Sequence, residues 1–116
     1  MKILVVDDDL HIQRLYKEEF EDEGYEVVVA SNGQEALELF ERESPDIVTL
    51  DILLPDIDGI RVLRQMKEKN PKIPIIMSTA YDYRDDFAVW ASEAYIVKSS
   101  DLKELKSMIK NLLEKK

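Results

Sequence analysis

Five short apolar runs, at residues 3–6, 25–30, 47–50, 73–77 and 94–97, punctuate this chain, and the stretches between them carry helical spacing. The runs are rich in β-branched residues, as strands buried on both faces are. Between them apolar residues recur every three or four positions: Ile12, Leu15, Tyr16 and Phe20, then Ala36, Leu37 and Phe40, then Ile60, Leu63 and Met66. A weaker pattern surrounds 85–91, and the clearest one holds Leu102, Leu105, Ile109 and Leu112. Boundary residues agree with this division. Gly24 stands where the first helix needs a C-terminal cap, and Ser31 with Gln34 fits a capping box for the second. Ser44-Pro45-Asp46 and Asn70-Pro71-Lys72 end the second and third helices, and Asp101 with Glu104 opens the last. Strands and helices in strict alternation require crossovers between parallel strands, and right-handed crossovers place helices on both faces. The expected fold is therefore α/β, a doubly wound five-stranded parallel sheet. No repeat, low-complexity segment or linker divides it, so residues 1–116 read as one domain.

Such a sheet gathers whatever follows its strands. Here those groups are Asp7-Asp8, Asp51, Ser78-Thr79 and Lys98, and in open parallel sheets the carboxyl edge is where ligands bind. Asp7, Asp8 and Asp51 would crowd like charges there, which is costly unless a proton or a cation compensates. All-oxygen ligation with few carboxylates suits Mg²⁺, or Mn²⁺, which also binds a phosphate oxygen. The plainer alternative for Asp7-Asp8-Asp9 is a solvated cluster at a helix start, where Asp is favoured.

Charge and composition exclude several other functions. With 25 acidic and 16 basic residues the formal net charge is -9, which repels nucleic acid and anionic membrane, so direct nucleic-acid binding is not expected. The absence of cysteine rules out disulfides, thiolate nucleophiles and Cys-type zinc sites. The first apolar run stops too early for a signal-peptide core and no later run approaches a membrane span, so no membrane insertion and a cytoplasmic location are expected. Asp56-Ile57-Asp58-Gly59 looks like part of a calcium loop, but its first and twelfth positions would be Leu54 and Gln65. His11 has no second histidine or cysteine to form a site, and its expected place is the surface of the first helix. The three glycines are scattered, so a glycine-rich phosphate loop is missing. Met66, Met77 and Met108 fall within apolar patterns and need no cofactor.

Four motifs in order, Val5-Val6-Asp7-Asp8, Pro45 to Asp51 continuing to Pro55-Asp56-Ile57-Asp58-Gly59, Ser78-Thr79-Ala80, and Tyr95-Ile96-Val97-Lys98, resemble the receiver domain of two-component response regulators across essentially the whole chain. The resemblance implies a flavodoxin-like (βα)5 fold with strand order 2-1-3-4-5. It implies Asp51 as phosphoacceptor, a carboxylate that forms an aspartyl phosphate. Mg²⁺ would be held by Asp7, Asp8, Asp51 and the backbone carbonyl of Leu53. The transferred phosphoryl group would be bound by Thr79, the backbone amide of Ala80, and Lys98. Thr79 and Tyr95 match the family's switch pair, whose rearrangement shifts a pre-existing equilibrium of the face formed by the last strands and helices. Ile12 and Leu15 match positions where the family docks the phosphodonor, although their spacing equally allows them to be core. The implied partners are a histidine kinase or a histidine phosphotransfer protein, an unidentified downstream protein, and a second copy in a homodimer.

Departures from the family pattern carry expectations of their own. Lys98 is followed by Ser99 where the family usually has a cis proline, and a cis bond without proline costs about 2.5–4 kcal/mol. The stretch from Thr79 to Lys98 is short, so the fourth helix is expected to be short or irregular. Apolar Leu53 and bulky Tyr81 occupy positions that tune dephosphorylation, and they suggest a long-lived phosphoryl group. The leading expectation is a stand-alone receiver that catalyses at most its own phosphorylation and dephosphorylation. A receiver-like interaction module acting without phosphorylation is one alternative. A Mg²⁺-dependent phosphohydrolase is another, disfavoured because Leu53 stands where a second acid would be needed.

Overall fold

The computed structural model describes residues 1–79, 94–97 and 102–114. Its elements are β1 (Lys2–Val6), α1 (Leu10–Asp22), β2 (Glu26–Ala30), α2 (Gly33–Glu43), β3 (Ile47–Leu50), α3 (Gly59–Lys69), β4 (Ile75–Thr79), β5 (Ala94–Val97) and α4 (Lys103–Glu114). The strands form one five-stranded sheet in the order β2-β1-β3-β4-β5. All four pairings are parallel, as expected. The expected fourth helix, around 85–91, lies outside the described residues.

Period-two geometry explains why the strands are apolar throughout. Alternate residues of β1 enter different cores: Leu4 and Val6 join Ala36, Phe40, Val62, Leu63 and Met66 beneath α2 and α3. Ile3 and Val5 join Tyr16, Phe20, Leu105 and Ile109 beneath α1 and α4. Among the described residues each face carries a pair of helices, so both parities of β1 and β3 are buried. Met66 and Met77 are fully buried and Met108 is half-buried, as their apolar surroundings suggested.

Helix ends follow local chemistry. Asp9 caps α1, and Gly24, at φ 93°, lets the chain leave it: Gly24 N donates to Glu21 O and Tyr25 N to Phe20 O, the paired bonds of a Schellman motif. Four expectations shift. The α2 cap is Asn32 rather than Ser31, and the reciprocal partner is Glu35 rather than Gln34: Glu35 N donates to Asn32 Oδ1, and Ser31 N returns a bond to Glu35 Oε1. The fourth strand runs from Ile75 to Thr79, not Ile73 to Met77: its ladder with β3 starts at the Val48–Ile75 pair, since Pro74, lacking an N–H, offers only its carbonyl to Val48 N, and its pairing with β5 continues to Thr79. Leu39 is buried in α2 where Leu37 is only half-buried, and in α4 the buried residue is Leu113 while Leu112 is half-buried. The last difference follows from the row Leu102, Leu105, Ile109, Leu113, which stays on one helical face for the whole of α4.

Candidate functional site

The strand order reverses between β1 and β3, with β2 beyond one and β4 beyond the other. Chains leaving these two strands depart to opposite faces, α1 to one and α3 to the other, and a crevice opens beyond their carboxyl ends. Asp7 and Asp51 are the first residues past those strands. Main-chain bonds fix both: Asp7 N donates to Ala30 O and Asp51 N to Val6 O, each at 3.0 Å, so the ladder runs one residue beyond the strands. One carboxylate oxygen from each of Asp7, Asp8 and Asp51 lies within 4.8 Å of the others, with Asp7 and Asp51 buried and Asp8 exposed. Three like charges this close call for a cation, and three hard oxygen donors suit Mg²⁺ or Mn²⁺.

The loop after β1 is held by its own residues. Asp9 Oδ1 accepts from His11 N at 2.8 Å and from Ile12 N at 3.4 Å, while Asp9 N donates to Asp7 Oδ1 at 2.9 Å. Gln13, one turn into α1, donates through Nε2 to Asp7 O at 2.6 Å and to Ser31 Oγ at 2.9 Å, tying this loop to the one before α2.

The loop after β3 is held differently. Leu53 N donates to Asp51 Oδ1 at 3.2 Å, Asp58 caps α3 by accepting from Ile60 N at 2.8 Å, and Gly59 N donates to Ile52 O at 2.8 Å. Gly59 must be glycine for reasons of space: a Cβ there would overlap the Asp51 carbonyl oxygen and stand 2.7 Å from Ile52 Cα. Asp56 reaches outside the loop, accepting from Gly33 N at 2.7 Å and Gln34 N at 2.9 Å at the start of α2, as well as from Ile57 N at 2.8 Å. The Gln34 amide first and the Gly33 amide second hold its carboxyl below the usual carboxylate range, against a smaller opposing effect of burial.

The remaining expected residues fall at the same edge or outside it. Thr79 is the last residue of β4 and pairs with Val97 of β5, which brings the backbone of both strands to the carboxyl edge beside Asp51. Ser78, grouped with Thr79 in the sequence, belongs instead to the core: it is buried, and its hydroxyl hydrogen-bonds Tyr16 Oη at 3.1 Å. Tyr95 pairs with Met77 in β5. The side chains of Thr79 and Tyr95, and the whole of Ala80, Tyr81, Lys98, Ser99 and Asp101, lie outside the described residues. Ile12 and Leu15 are half-buried against the α1 and α4 core, whereas Leu10 is 67% and Leu53 48% exposed. His11 is exposed, as expected. Sequence reasoning missed Asp56, Gly59 and Gln13. Only Gly59 carried a usable signal, as a glycine opening a helix where glycine is otherwise disfavoured.

A flavodoxin-like parallel sheet with a carboxylate cation site at its switch point defines a class of α/β domain built to handle a phosphoryl group or a similar anion beside a divalent metal. The response regulator receiver domain model matches residues 3–110, and the chain belongs to that family. It is 38% identical over 117 residues to the alkaline phosphatase synthesis transcriptional regulatory protein PhoP of Bacillus subtilis, covering 98% of this chain and 49% of that protein. The chain thus spans about half the length of the curated relatives it matches. Among solved structures it resembles the response regulator TrrA of Thermotoga maritima in complex with Mg²⁺–BeF, with 46% identity, a TM-score of 0.92, and 96% and 97% of the two chains covered. It resembles equally the structure of histidine kinase ThkA in complex with TrrA, with 46% identity, a TM-score of 0.91 and 97% of each chain covered. Among the described residues no helix is long and apolar enough to cross a membrane.

Proposed function

We propose that Asp51 accepts a phosphoryl group from a phosphohistidine donor and that the chain passes the resulting change to a protein partner. The observation that carries this reading is the gathering of Asp7, Asp8 and Asp51 within 4.8 Å at the sheet's switch point. A carboxylate oxygen of Asp51 forms the new P–O bond as the P–N bond of the donor breaks, and the departing imidazole nitrogen takes the electron pair and a proton from solvent. Asp7, Asp8, Asp51 and the Leu53 carbonyl hold Mg²⁺, with Mn²⁺ an acceptable substitute. When bound, the cation neutralises charge on the phosphoryl oxygens and holds them toward Asp51. Thr79 donates a hydroxyl hydrogen bond to those oxygens, the Ala80 amide a second, and Lys98 a positive charge. Thr79 and Tyr95 form the switch. Support comes from TrrA, whose structures include a complex with Mg²⁺–BeF and a complex with histidine kinase ThkA.

The donor is a histidine kinase or histidine phosphotransfer protein, and it docks on α1 at Ile12 and Leu15 beside the acidic crevice. Residues 1–116 act as one cytoplasmic receiver domain that signals to a downstream protein or to a second copy of itself. Its chemistry is confined to its own phosphorylation and dephosphorylation. The deciding experiment is intact mass after incubation with Mg²⁺ and acetyl phosphate, with Asp51→Asn and metal-free samples alongside. One phosphoryl adduct that needs both metal and Asp51 is expected. Failure of that adduct with acetyl phosphate and again with a histidine-phosphorylated donor would overturn the reading in favour of a module acting without phosphorylation.

A further inference from the structure

The loop that carries Asp51 and Leu53 is anchored at both ends by main chain, through Asp51 N to Val6 O and through Gly59 N to Ile52 O. Between those anchors the backbone crosses open edge, with Leu53, Pro55, Asp56 and Asp58 exposed. A metal-binding carbonyl in such a stretch needs something that stops the loop wandering, because each residue left free costs ordering entropy when the ligand arrives. Asp56 supplies a tether. Its two carboxylate oxygens take the Gly33 and Gln34 amides of α2 at 2.7 and 2.9 Å.

Two features separate this contact from ordinary helix capping. First, α2 already has a cap of its own: Asn32 takes the Glu35 amide at 2.8 Å, leaving the Gly33 and Gln34 amides for a carboxylate from elsewhere. Second, the docking surface is shaped for the loop. A Cβ at Gly33 would come 3.0 Å from Ile57 Cβ, 3.0 Å from Val62 Cγ2 and 3.3 Å from Asp56 Oδ1, so glycine there lets the loop close on the helix. The contact also suits the helix dipole, which favours an anion at this end.

We propose that Asp56 is a positioning residue for the cation site: by tying the β3–α3 loop to the N-terminus of α2 it fixes the path from Asp51 through Leu53, and so the carbonyl that completes the metal's ligand set. This rests on the reading of Asp7, Asp8, Asp51 and Leu53 as the cation's ligands. It also makes α2, a helix that contributes no ligand, part of the apparatus that sets metal affinity.

The test is titration of the unphosphorylated chain with Mn²⁺ alone, following the free-ion electron paramagnetic resonance signal, for wild type, Asp56→Ala, Asp56→Asn and Asn32→Ala. Far-UV circular dichroism and thermal melts establish folding of each. Asp56→Ala is expected to weaken Mn²⁺ binding about tenfold, the usual scale for losing a residue that orients a ligand. Asp56→Asn keeps one acceptor oxygen and should fall between Asp56→Ala and wild type, and it decides the matter if Asp56→Ala does not fold. Asn32→Ala removes a cap from the same helix end without touching the loop, so it should lower the melting temperature and leave Mn²⁺ binding at the wild-type value. The proposal is overturned if folded Asp56→Ala binds Mn²⁺ as wild type does, or if Asn32→Ala weakens binding as much. Wild type that is folded yet takes up no Mn²⁺ would instead remove the cation-site reading itself.

Discussion

The two loops that bring carboxylates to the crevice differ in how far their main ties reach. The β1–α1 loop is closed mainly by neighbours in sequence, with Asp9 bonded to His11 and Ile12 ahead of it and to Asp7 behind it, and Gln13 adds one longer tie, to Ser31. The β3–α3 loop is held in part by a helix more than twenty positions earlier, through Asp56 and the Gly33 and Gln34 amides. A loop closed on itself reaches its shape whenever its strand and helix form. A loop tethered elsewhere reaches it only when the tertiary structure is complete, and anything that moves α2 moves it. The first therefore supplies fixed charge to the site, and the second supplies the adjustable part.

Substitutions that separate the two loops should differ in size and in kind. Gly59→Ala strikes the tethered loop hardest, since the added methyl group meets backbone of Asp51 and Ile52 that has no flexible side chain to yield. A loss of about 3 kcal/mol is expected, the upper end for overpacking a close contact, together with weaker Mn²⁺ binding as the Asp51–Leu53 backbone is displaced. Urea unfolding checks the first part, and a change below about 1 kcal/mol would mean the loop accommodates the methyl group by a route this geometry does not contain. Asp9→Ala, in the self-closed loop, should cost about 1 kcal/mol through the lost α1 cap. Its effect belongs to stability, so Mn²⁺ affinity of the folded protein should change less than in Asp56→Ala. The reverse ranking would erase the distinction between the loops.

What the sequence disclosed follows the same line. The doubly wound sheet, the carboxyl ends of β1 and β3 and the three clustered acids were legible because each depends on residues adjacent in the chain, an apolar run and then a carboxylate, whereas both ends of β4 were displaced by two residues. The Asp9 and Gly24 helix ends are local in the same sense. Asp56 was not legible, since its partners are backbone amides, and the one residue type the contact marks, glycine at 33, does not say what approaches it. The acids of Asp56-Ile57-Asp58-Gly59 could be dismissed as a calcium loop, yet their residue types do not disclose their roles, Asp56 tying the loop to α2 and Asp58 capping α3. Ser78 misled for a related reason. It neighbours Thr79 in sequence but alternates onto the other side of β4, where Tyr16 of α1 takes its hydroxyl.

Leu53 tests whether the tethered loop also governs what happens after phosphorylation. Leu53 is 48% exposed two residues after the buried Asp51, so its side chain is not committed to the core. The hypothesis is that this apolar group keeps attacking water poorly organised. Leu53→Asn offers water a hydrogen-bonding partner and should shorten the phosphoryl lifetime several-fold, with little change in stability because the site is open. The decay of the phosphorylated mass after removal of donor measures it, and an unchanged or longer lifetime would refute the idea.

The smallest expected effect is electrostatic. The Asp56 carboxyl is held below its ordinary value of 3.8 by the Gln34 and Gly33 amides. A depressed folded value means that the ionised tether stabilises the folded state at every pH above the unfolded value, and that this contribution fades as pH falls through the folded one. Wild type should therefore exceed Asp56→Asn in stability by a constant margin from neutral pH down to about pH 4, and the margin should shrink below 3.8. The margin is small because the carboxylate is exposed and water screens it. Urea titrations of both proteins at pH 7, 5 and 3 would show it, roughly bracketing the carboxylate range. A margin that persists unchanged at the lowest pH would mean that the α2 amides hold the protonated acid as well as the carboxylate, making the tether a matter of shape, with charge contributing nothing.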